Sequence, residues 1–385
     1  MFLKYCVRCM LPDSKPDLHF NADGVCAACQ AFENRTTVDW DSRRHEFMAI
    51  VDRYRDTTNT KWDCIIPVSG GKDSTFQVIT MLELGVRPLC VTATTCDLSE
   101  VGRENIENIK NLGVDHMTFS PNPVVRRQLN RIGLREVGDI SWPEHVGIFT
   151  IPVRAAVQFG VPLIIWGENS QNEYGGPEAA TNSRTLDRRW LEEFGGLLGM
   201  RVSDLAEAQG IPEGDLAPYT YPSGEDLESV GVTGLFLGQF FPWDGMTNAL
   251  IAQAKGFKTT GSVVEGSMVD YENIDNYQVG IHDYFKFLKF GFGRATDIAS
   301  LHVRRGRLTR SQALDIIRER DGKFPWTYLG KPLDEILRPL DITIDEFVEI
   351  CDRFTNESLF VTKRDGSLLR DRHGNLTKLS YDNVD

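Results

Sequence analysis

A short apolar run that leads directly into a glycine turn constrains the fold of this chain most. Residues 64–68 (CIIPV) are typical of a buried strand, and residues 69–74 (SGGKDS) follow without a break. Residues 75–84 then show the apolar spacing of a helix. A strand that ends in paired glycines and opens a helix is typical of an α/β protein.

The same alternation of strands and helices continues along the chain. Further strands are predicted at residues 87–95, 116–120, 161–166 and 234–241, with helices at residues 39–55, 99–112, 143–159 and 247–255. We therefore expect an α/β fold in which a parallel sheet carries helices on both faces. Ligands bind at the carboxyl ends of such strands, so the loops beginning at Ser69, Cys96 and Gly167 should line one site.

The glycine turn has the features of a phosphate-binding loop. Gly70 and Gly71 let the backbone turn tightly and present its N–H groups, and the helix that follows has a partly positive N-terminus. Ser69 and Ser74 add hydroxyl donors. The run differs from the GxxxxGK[ST] loop that holds β- and γ-phosphates. Lys72 either steers a phosphate or is a solvated lysine at a helix start.

Four of the eight cysteines form two CxxC pairs, Cys6 with Cys9 and Cys26 with Cys29. This spacing favours a zinc ribbon around one structural Zn(II), with a disulfide pair or an iron–sulfur cluster as the alternatives. Four thiolates leave no open coordination position, so the metal is expected to stabilise the fold.

Composition limits the class of partner. The 385 residues carry 42 Lys and Arg against 55 Asp and Glu, a net charge of −13, which disfavours extended nucleic-acid binding. The chain has neither an apolar run of about 18 residues nor the pattern of a signal peptide. We expect a cytoplasmic protein without membrane insertion.

The changes of pattern predict six segments. They are a zinc ribbon (1–38), a linker helix (39–60), an α/β core with the phosphate-binding loop (61–176), an acidic insertion or lid (177–230), the remainder of the core with the substrate site (231–300), and a helical C-terminal region ending in a small hairpin (301–385).

The glycine turn resembles the SGGxDS loop of the PP-loop ATP pyrophosphatase superfamily, whose members cleave ATP between the α- and β-phosphates and transfer AMP to an oxygen. The order of motifs narrows the resemblance to the N-acetyl sugar amidotransferases of bacterial surface-polysaccharide and flagellin-glycan biosynthesis. The motifs are the two CxxC pairs, the SGGKDS loop, Trp166-Gly-Glu-Asn169 with Glu173-Tyr-Gly-Gly176, and Gly291-Phe-Gly-Arg-Ala-Thr-Asp297.

The resemblance implies a reaction and its cofactors. The enzyme would use ATP and Mg(II) to adenylylate the acetamido oxygen of a nucleotide-linked or acidic N-acetyl sugar in O-antigen or lipopolysaccharide synthesis. Ammonia would then displace AMP to give an acetamidino group. The ammonia would come from a separate glutaminase–cyclase pair similar to the subunits of imidazole glycerol phosphate synthase.

The resemblance also implies roles for particular residues. The ATP-binding residues would be Ser69, Gly70, Gly71, Lys72, Asp73 and Ser74, with Asp73 as the Mg(II) contact. The catalytic candidates are Asp73, Lys72, Glu168 and Asn169.

Two further segments are expected to bind the sugar. Glu168, Asn169, Glu173 and Tyr174 follow a predicted strand, where they would bind hydroxyls and the reacting amide or accept a proton. The alternative is a polar loop that caps the next element. Arg294 would bind a phosphate or a substrate carboxylate, or else form a structural ion pair.

Other features leave alternatives open. His145, His282 and Asp283 are weaker site candidates that helix capping would also explain. The arginines at 304, 305, 307 and 310 are expected to be a solvated face or a docking patch. The rival function is a tRNA sulfurtransferase of the same superfamily, for which Cys64, Cys90 and Cys96 would be the nearby thiols.

Overall fold

The fold is seen in a computed structural model that describes residues 3–57, 62–169, 173, 175, 185–186 and 210–379. Its main sheet contains the strands β1 (Cys64–Pro67), β2 (Pro88–Ala93), β3 (Asp115–Phe119), β4 (Leu163–Trp166), β5 (Thr185–Leu186) and β6 (Thr233–Phe236). They lie in the order β3-β2-β1-β4-β6-β5, and only β5 runs antiparallel to its neighbour. The predicted parallel α/β sheet is confirmed.

Helices connect these strands. In chain order they are α1 (Ala27–Arg35), α2 (Trp40–Thr57), α3 (Lys72–Glu83), α4 (Glu100–Asn111), α5 (Pro123–Ile132), α6 (Trp142–Phe159), α7 (Glu213–Leu216), α8 (Gly224–Val230) and α9 (Gly245–Gln253). Local sequence explains several helix starts. Ser99 caps α4, and Asn122 caps α5 with Pro123 in the first turn.

The sheet is buried on both faces because alternate strand residues point in opposite directions. Cys64 and Ile66 pack with Phe47 of α2 and Val78 of α3. Ile65 packs on the other side, among side chains of α6. Burying each large aliphatic side chain stabilises the fold by about 1.5–3 kcal/mol. The helices therefore cover both faces, as predicted.

The C-terminal part is mainly helical, also as predicted. It contains α10 (Val279–Phe290), α11 (Arg294–Arg304), α12 (Arg310–Arg320), the short strands β7 (Thr327–Tyr328) and β8 (Lys331–Pro332), α13 (Leu333–Leu337) and α14 (Ile344–Phe354). Its core is rich in aromatic side chains, among them Phe285, Phe287, Phe324 and Phe347. The tail makes two hairpin turns through isolated antiparallel bridges, Thr362 with Leu368 and Arg370 with Leu376.

Two sequence expectations differ from the structure or fall outside it. The strand predicted at 234–241 ends at Phe236, because the chain turns back towards β4 and the Gly238 N–H donates to the Gly167 carbonyl at 3.1 Å. The boundary predicted near residues 57–60 lies mostly outside the described residues, as does most of the 177–230 insertion. The described end of that insertion buries Ile211, Leu216 and Tyr219 against α5 and α6.

The strand order places the candidate site. The chain leaves β1 towards β2 on one side, whereas β4 lies on the other side of β1. A crevice at such a reversal is where open α/β sheets bind ligands. The loops after β1 and β4 meet there. Among the described residues, no helix is both long and apolar enough to cross a membrane.

Candidate functional site

The turn after β1 has the form that a phosphate-binding loop requires. Gly70 adopts a φ of +84°, and a Cβ atom at this position would lie 2.8 Å from the backbone nitrogen of Ile106. The Ser74 hydroxyl donates to the Gly71 carbonyl at 3.0 Å, which secures the turn against the first residues of α3. The first N–H groups of a helix have no partner within it, so those of α3 are oriented to bind an anion.

Lys72 and Asp73 begin α3 inside a charged network. Lys72 is only 5% exposed, and its Nζ lies 2.5 Å from Asp73 and 2.6 Å from Glu272. Asn248 donates to the other Asp73 oxygen at 2.8 Å. Burial alone would lower the pKa of Lys72, but the charges of Asp73 and Glu272 hold it well above its ordinary value. The alternative of a solvated lysine is wrong.

Glu168 contributes a third carboxylate to this network. Its burial, with the charge of Asp73, raises its pKa from 4.5 to about 8, although Lys72 opposes the shift. A carboxyl group with such a pKa can exchange a proton near neutral pH. Together, Asp73, Glu168 and Glu272 surround one ammonium with three acidic groups. This excess of oxygen ligands fits a divalent ion such as Mg(II).

The predicted sugar-binding segment after β4 is held by arginines. Arg35 donates to Oε1 of Glu173 and Arg305 to Oε2, each at 3.1 Å. Both carboxylate oxygens of Glu173 are therefore engaged, and a sugar-binding role for it stays a prediction. Asn169 is 2% exposed, and Tyr174 lies outside the described residues.

Most of the arginine run does not form a solvated face: the arginines at 304, 305 and 310 are partly buried, so that expectation is wrong for them, whereas Arg307 is exposed. The Arg305 side chain is 10% exposed and is also paired with Asp244 at 3.4 Å. Arg304 donates to the Glu173 carbonyl at 2.8 Å and to Cys9 Sγ at 3.7 Å. The reason is tertiary packing, since the end of α11 lies between the cysteine cluster and the segment after β4.

The four N-terminal cysteines converge as predicted. Their sulfur atoms lie 3.8 Å apart for Cys6 and Cys29, and 3.6 Å apart for Cys9 and Cys26. Tetrahedral Zn(II), with Zn–S bonds of about 2.3 Å, separates its sulfur ligands by about 3.8 Å. All four residues are buried, and none forms a disulfide. The cluster fits a zinc ribbon.

Arg294 forms an ion pair in this structure. Its Nη2 and Nε lie 2.9 Å and 3.2 Å from the two carboxylate oxygens of Asp283. This geometry agrees with the structural alternative, and binding of a substrate anion by Arg294 stays a prediction.

Sequence reasoning missed Glu272 and Asn248. Both contact the beginning of α3 from about 175 to 200 positions further along the chain. A single acidic residue near an aromatic one, as in Tyr271-Glu272, carries no distinctive signal. Glu272 also connects the phosphate loop to the C-terminal part of the chain.

Comparison with known families gives a match for this C-terminal part. Residues 265–372 match the family model described as "LPS biosynthesis protein WbpG-like, C-terminal domain". This region resembles lipopolysaccharide-biosynthesis proteins. The match fits the resemblance to N-acetyl sugar amidotransferases drawn from the motifs. The matched residues include Glu272, His282 and Arg294. In a separate comparison, none of the curated proteins matches the chain significantly.

Two solved structures show a distant likeness. One is an NH3-dependent NAD synthetase from Campylobacter jejuni subsp. jejuni NCTC 11168 in complex with the nitrate ion, at 10% identity and a TM-score of 0.28, covering 57% of this chain and 97% of that chain. The other is an NMN synthetase from Francisella tularensis, at 11% identity and a TM-score of 0.27, covering 57% and 96%.

Proposed function

We propose that the chain is an ATP-dependent amidotransferase of bacterial lipopolysaccharide synthesis. It adenylylates the acetamido oxygen of a nucleotide-linked or acidic N-acetyl sugar, and ammonia then displaces AMP to give an acetamidino group. The observation that carries this proposal is the glycine turn at the sheet crevice, with Asp73, Glu168 and Glu272 beside it. The WbpG-like match over residues 265–372 supports the lipopolysaccharide pathway.

The proposed chemistry needs activation of the amide. An amide oxygen is a poor leaving group, so ammonia cannot displace it directly. Attack of this oxygen on the α-phosphorus of ATP releases pyrophosphate and gives an imidate ester. Ammonia adds to the imidate carbon, the C–O bond breaks, and AMP leaves with the original oxygen.

Different residues of the chain bind the phosphates, hold the metal ion and accept the proton. The backbone around Gly70 and Gly71 and the first N–H groups of α3 bind the phosphates. Asp73, with Glu168 or Glu272, would hold Mg(II), which neutralises phosphate charge when bound. Glu168 accepts the proton that the attacking nitrogen loses.

The thiols favour this function over sulfur transfer. Cys64 and Cys90 are fully buried in β1 and β2. Burial raises the pKa of Cys90 to about 12, and burial with the charge of Glu144 raises that of Cys96 to about 11. Thiols in this state are poor nucleophiles and poor cluster ligands.

A product analysis tests the proposal. The chain is incubated with candidate nucleotide-activated N-acetyl sugars and sugar acids, ATP, Mg(II) and ammonium. Replacement of oxygen by NH lowers the sugar mass by about one unit, and we expect AMP and pyrophosphate in equal amounts. Stoichiometric ADP and phosphate would contradict the proposal. A brown protein with iron–sulfur absorbance after anaerobic purification would favour the sulfurtransferase.

A further inference from the structure

A second cluster of metal-ligating side chains lies where α6 meets α10. Asp139 precedes α6, His145 lies in the first turns of α6, and His282 lies on α10. Nδ1 of His145 is 3.0 Å from one carboxylate oxygen of Asp139, and Nδ1 of His282 is 2.8 Å from the other. The two imidazole rings are 5.0 Å apart and nearly perpendicular. The proposed amidotransfer does not use this cluster.

We propose that Asp139, His145 and His282 bind a divalent first-row transition-metal ion. Two imidazoles and one carboxylate are a ligand set that such ions favour. Metal–ligand bonds of about 2.1 Å at right angles separate neighbouring ligand atoms by about 3.0 Å. The two nitrogen–oxygen separations are close to this value, and all three residues offer ligand atoms within 4.8 Å of one another.

The surroundings of Asp139 suit an anionic ligand. The residue is 3% exposed, and the Ser141 backbone N–H fixes its carboxylate by donating to Oδ1 at 2.9 Å. The carboxylate is thereby held facing both imidazoles.

The two histidines leave the site accessible. Their side chains are 31% and 28% exposed, so an ion has a path from solvent. Within the described part of the chain, neither imidazole forms a hydrogen bond other than the one to Asp139. The site is also independent of the four cysteines, because it uses nitrogen and oxygen ligands only.

The competing arrangement contains no metal. In it, both Nδ1 atoms carry a proton and donate to Asp139, so that the carboxylate merely orients two imidazoles. The same heavy-atom distances fit these hydrogen bonds. Only the metal site predicts that the folded chain takes up an ion at these three residues.

Cobalt titration separates the two arrangements. The chain, with Zn(II) in the cysteine cluster and excess Mg(II) to occupy the carboxylates beside the phosphate loop, is titrated with Co(II), which does not readily displace the more tightly held Zn(II). We expect one Co(II) per chain, detected by visible d–d absorption without sulfur-to-cobalt charge-transfer bands. His145→Ala and His282→Ala should each weaken binding at least tenfold.

Matched variants control for other sites and for folding. His45→Ala removes a surface histidine of α2 whose Nδ1 contacts the Asp41 carbonyl, and it should bind Co(II) normally. In the same excess of Mg(II), Asp73→Asn should also leave the signal unchanged, because that carboxylate belongs to the separate site beside the phosphate loop. X-ray absorption at the cobalt edge of the wild-type chain should show nitrogen and oxygen ligands with imidazole scattering.

Some results would overturn the proposal. They are the absence of any Co(II) beyond that exchanged into the cysteines, a cobalt shell made of sulfur, or equal binding by folded histidine variants. Because the X-ray absorption experiment uses the wild-type chain, it decides the question even if a histidine variant fails to fold.

Discussion

At the scale of single residues, Gly70 shows how backbone conformation and packing act together. Its φ of +84° is in the left-handed region, and the space for a Cβ atom is already filled by the backbone of α4. We expect Gly70→Ala to displace the phosphate loop and weaken ATP binding at least tenfold, as measured by calorimetry.

Gly85 offers the matched control for this substitution. It also has a positive φ, +68°, but nothing lies within 4 Å of an added Cβ atom. Gly85→Ala should cost about 1 kcal/mol of stability and leave ATP binding intact. Equal ATP affinity in the two variants would show that the turn after β1 does not hold the nucleotide.

The ionisation of Glu168 makes the folding stability of the chain depend on pH. Its pKa in the folded chain is about 8, against 4.5 for an ordinary glutamate. Its contribution to stability is complete below pH 4.5 and is lost progressively as the pH rises to about 8, because the folded state must then ionise a crowded carboxyl group.

At pH 8, Glu168→Gln should therefore melt at a temperature about 2 °C or more above that of the wild type. At pH 4.5 the two proteins should melt at the same temperature. Thermal melts at several pH values without Mg(II) measure this difference. Adding Mg(II) and ATP should stabilise the wild type more than the variant. A temperature difference that does not change with pH would contradict the raised pKa.

At the scale of elements, the zinc ribbon holds the segment after β4. Lys15 of the ribbon donates to the Gly175 carbonyl at 3.2 Å, and Leu18 and Ala28 pack where a Gly175 side chain would lie. Arg304 contacts both Cys9 and Glu173. The ribbon therefore packs against the segment after β4, and its role in stabilising the fold stays a prediction.

Glu173→Gln tests this coupling. It removes the charge that Arg35 and Arg305 share, at a position 10% exposed. We expect a loss of about 2 kcal/mol or more in the free energy of unfolding, measured by denaturant titration, together with a fall in turnover. Glu33→Gln is the control, since its ion pair with Arg8 is more than half exposed and should change stability by less than about 1 kcal/mol. Equal effects of the two substitutions would show that the contacts of Arg35 and Arg305 with Glu173 do not hold the segment after β4.

At the scale of the whole molecule, local signals in the sequence predicted most of the fold. The SGGKDS turn and the CxxC spacing depend on residues close together in the chain, and the structure has both features where they were expected. Glu272 and Arg305 could not be found in this way. Glu272 lies between α9 and α10, and Arg305 directly follows α11, so both reach the site through long-range packing that leaves no periodic pattern.

Whether the chain can release ammonia from glutamine depends on all of its cysteines. Cys351 is buried in α14, and burial raises its pKa well above the ordinary value. Burial also raises the pKa of the thiols of Cys64, Cys90 and Cys96, and the other four cysteines form the metal-binding cluster. The described residues therefore offer no activated nucleophile for glutamine hydrolysis. The isolated chain should work with ammonium at elevated pH and fail with glutamine. Robust glutamine-dependent turnover by the isolated chain would contradict a separate ammonia donor.

The fate of the acetamido oxygen tests the central claim most directly. A sugar substrate labelled with ¹⁸O in the acetamido carbonyl is turned over with ATP, Mg(II) and ammonium, and the nucleotide product is examined by mass spectrometry. If the oxygen attacks the α-phosphorus, every AMP formed in step with the amidine carries the label. Unlabelled AMP, or label released into phosphate, would contradict adenylylation of the amide.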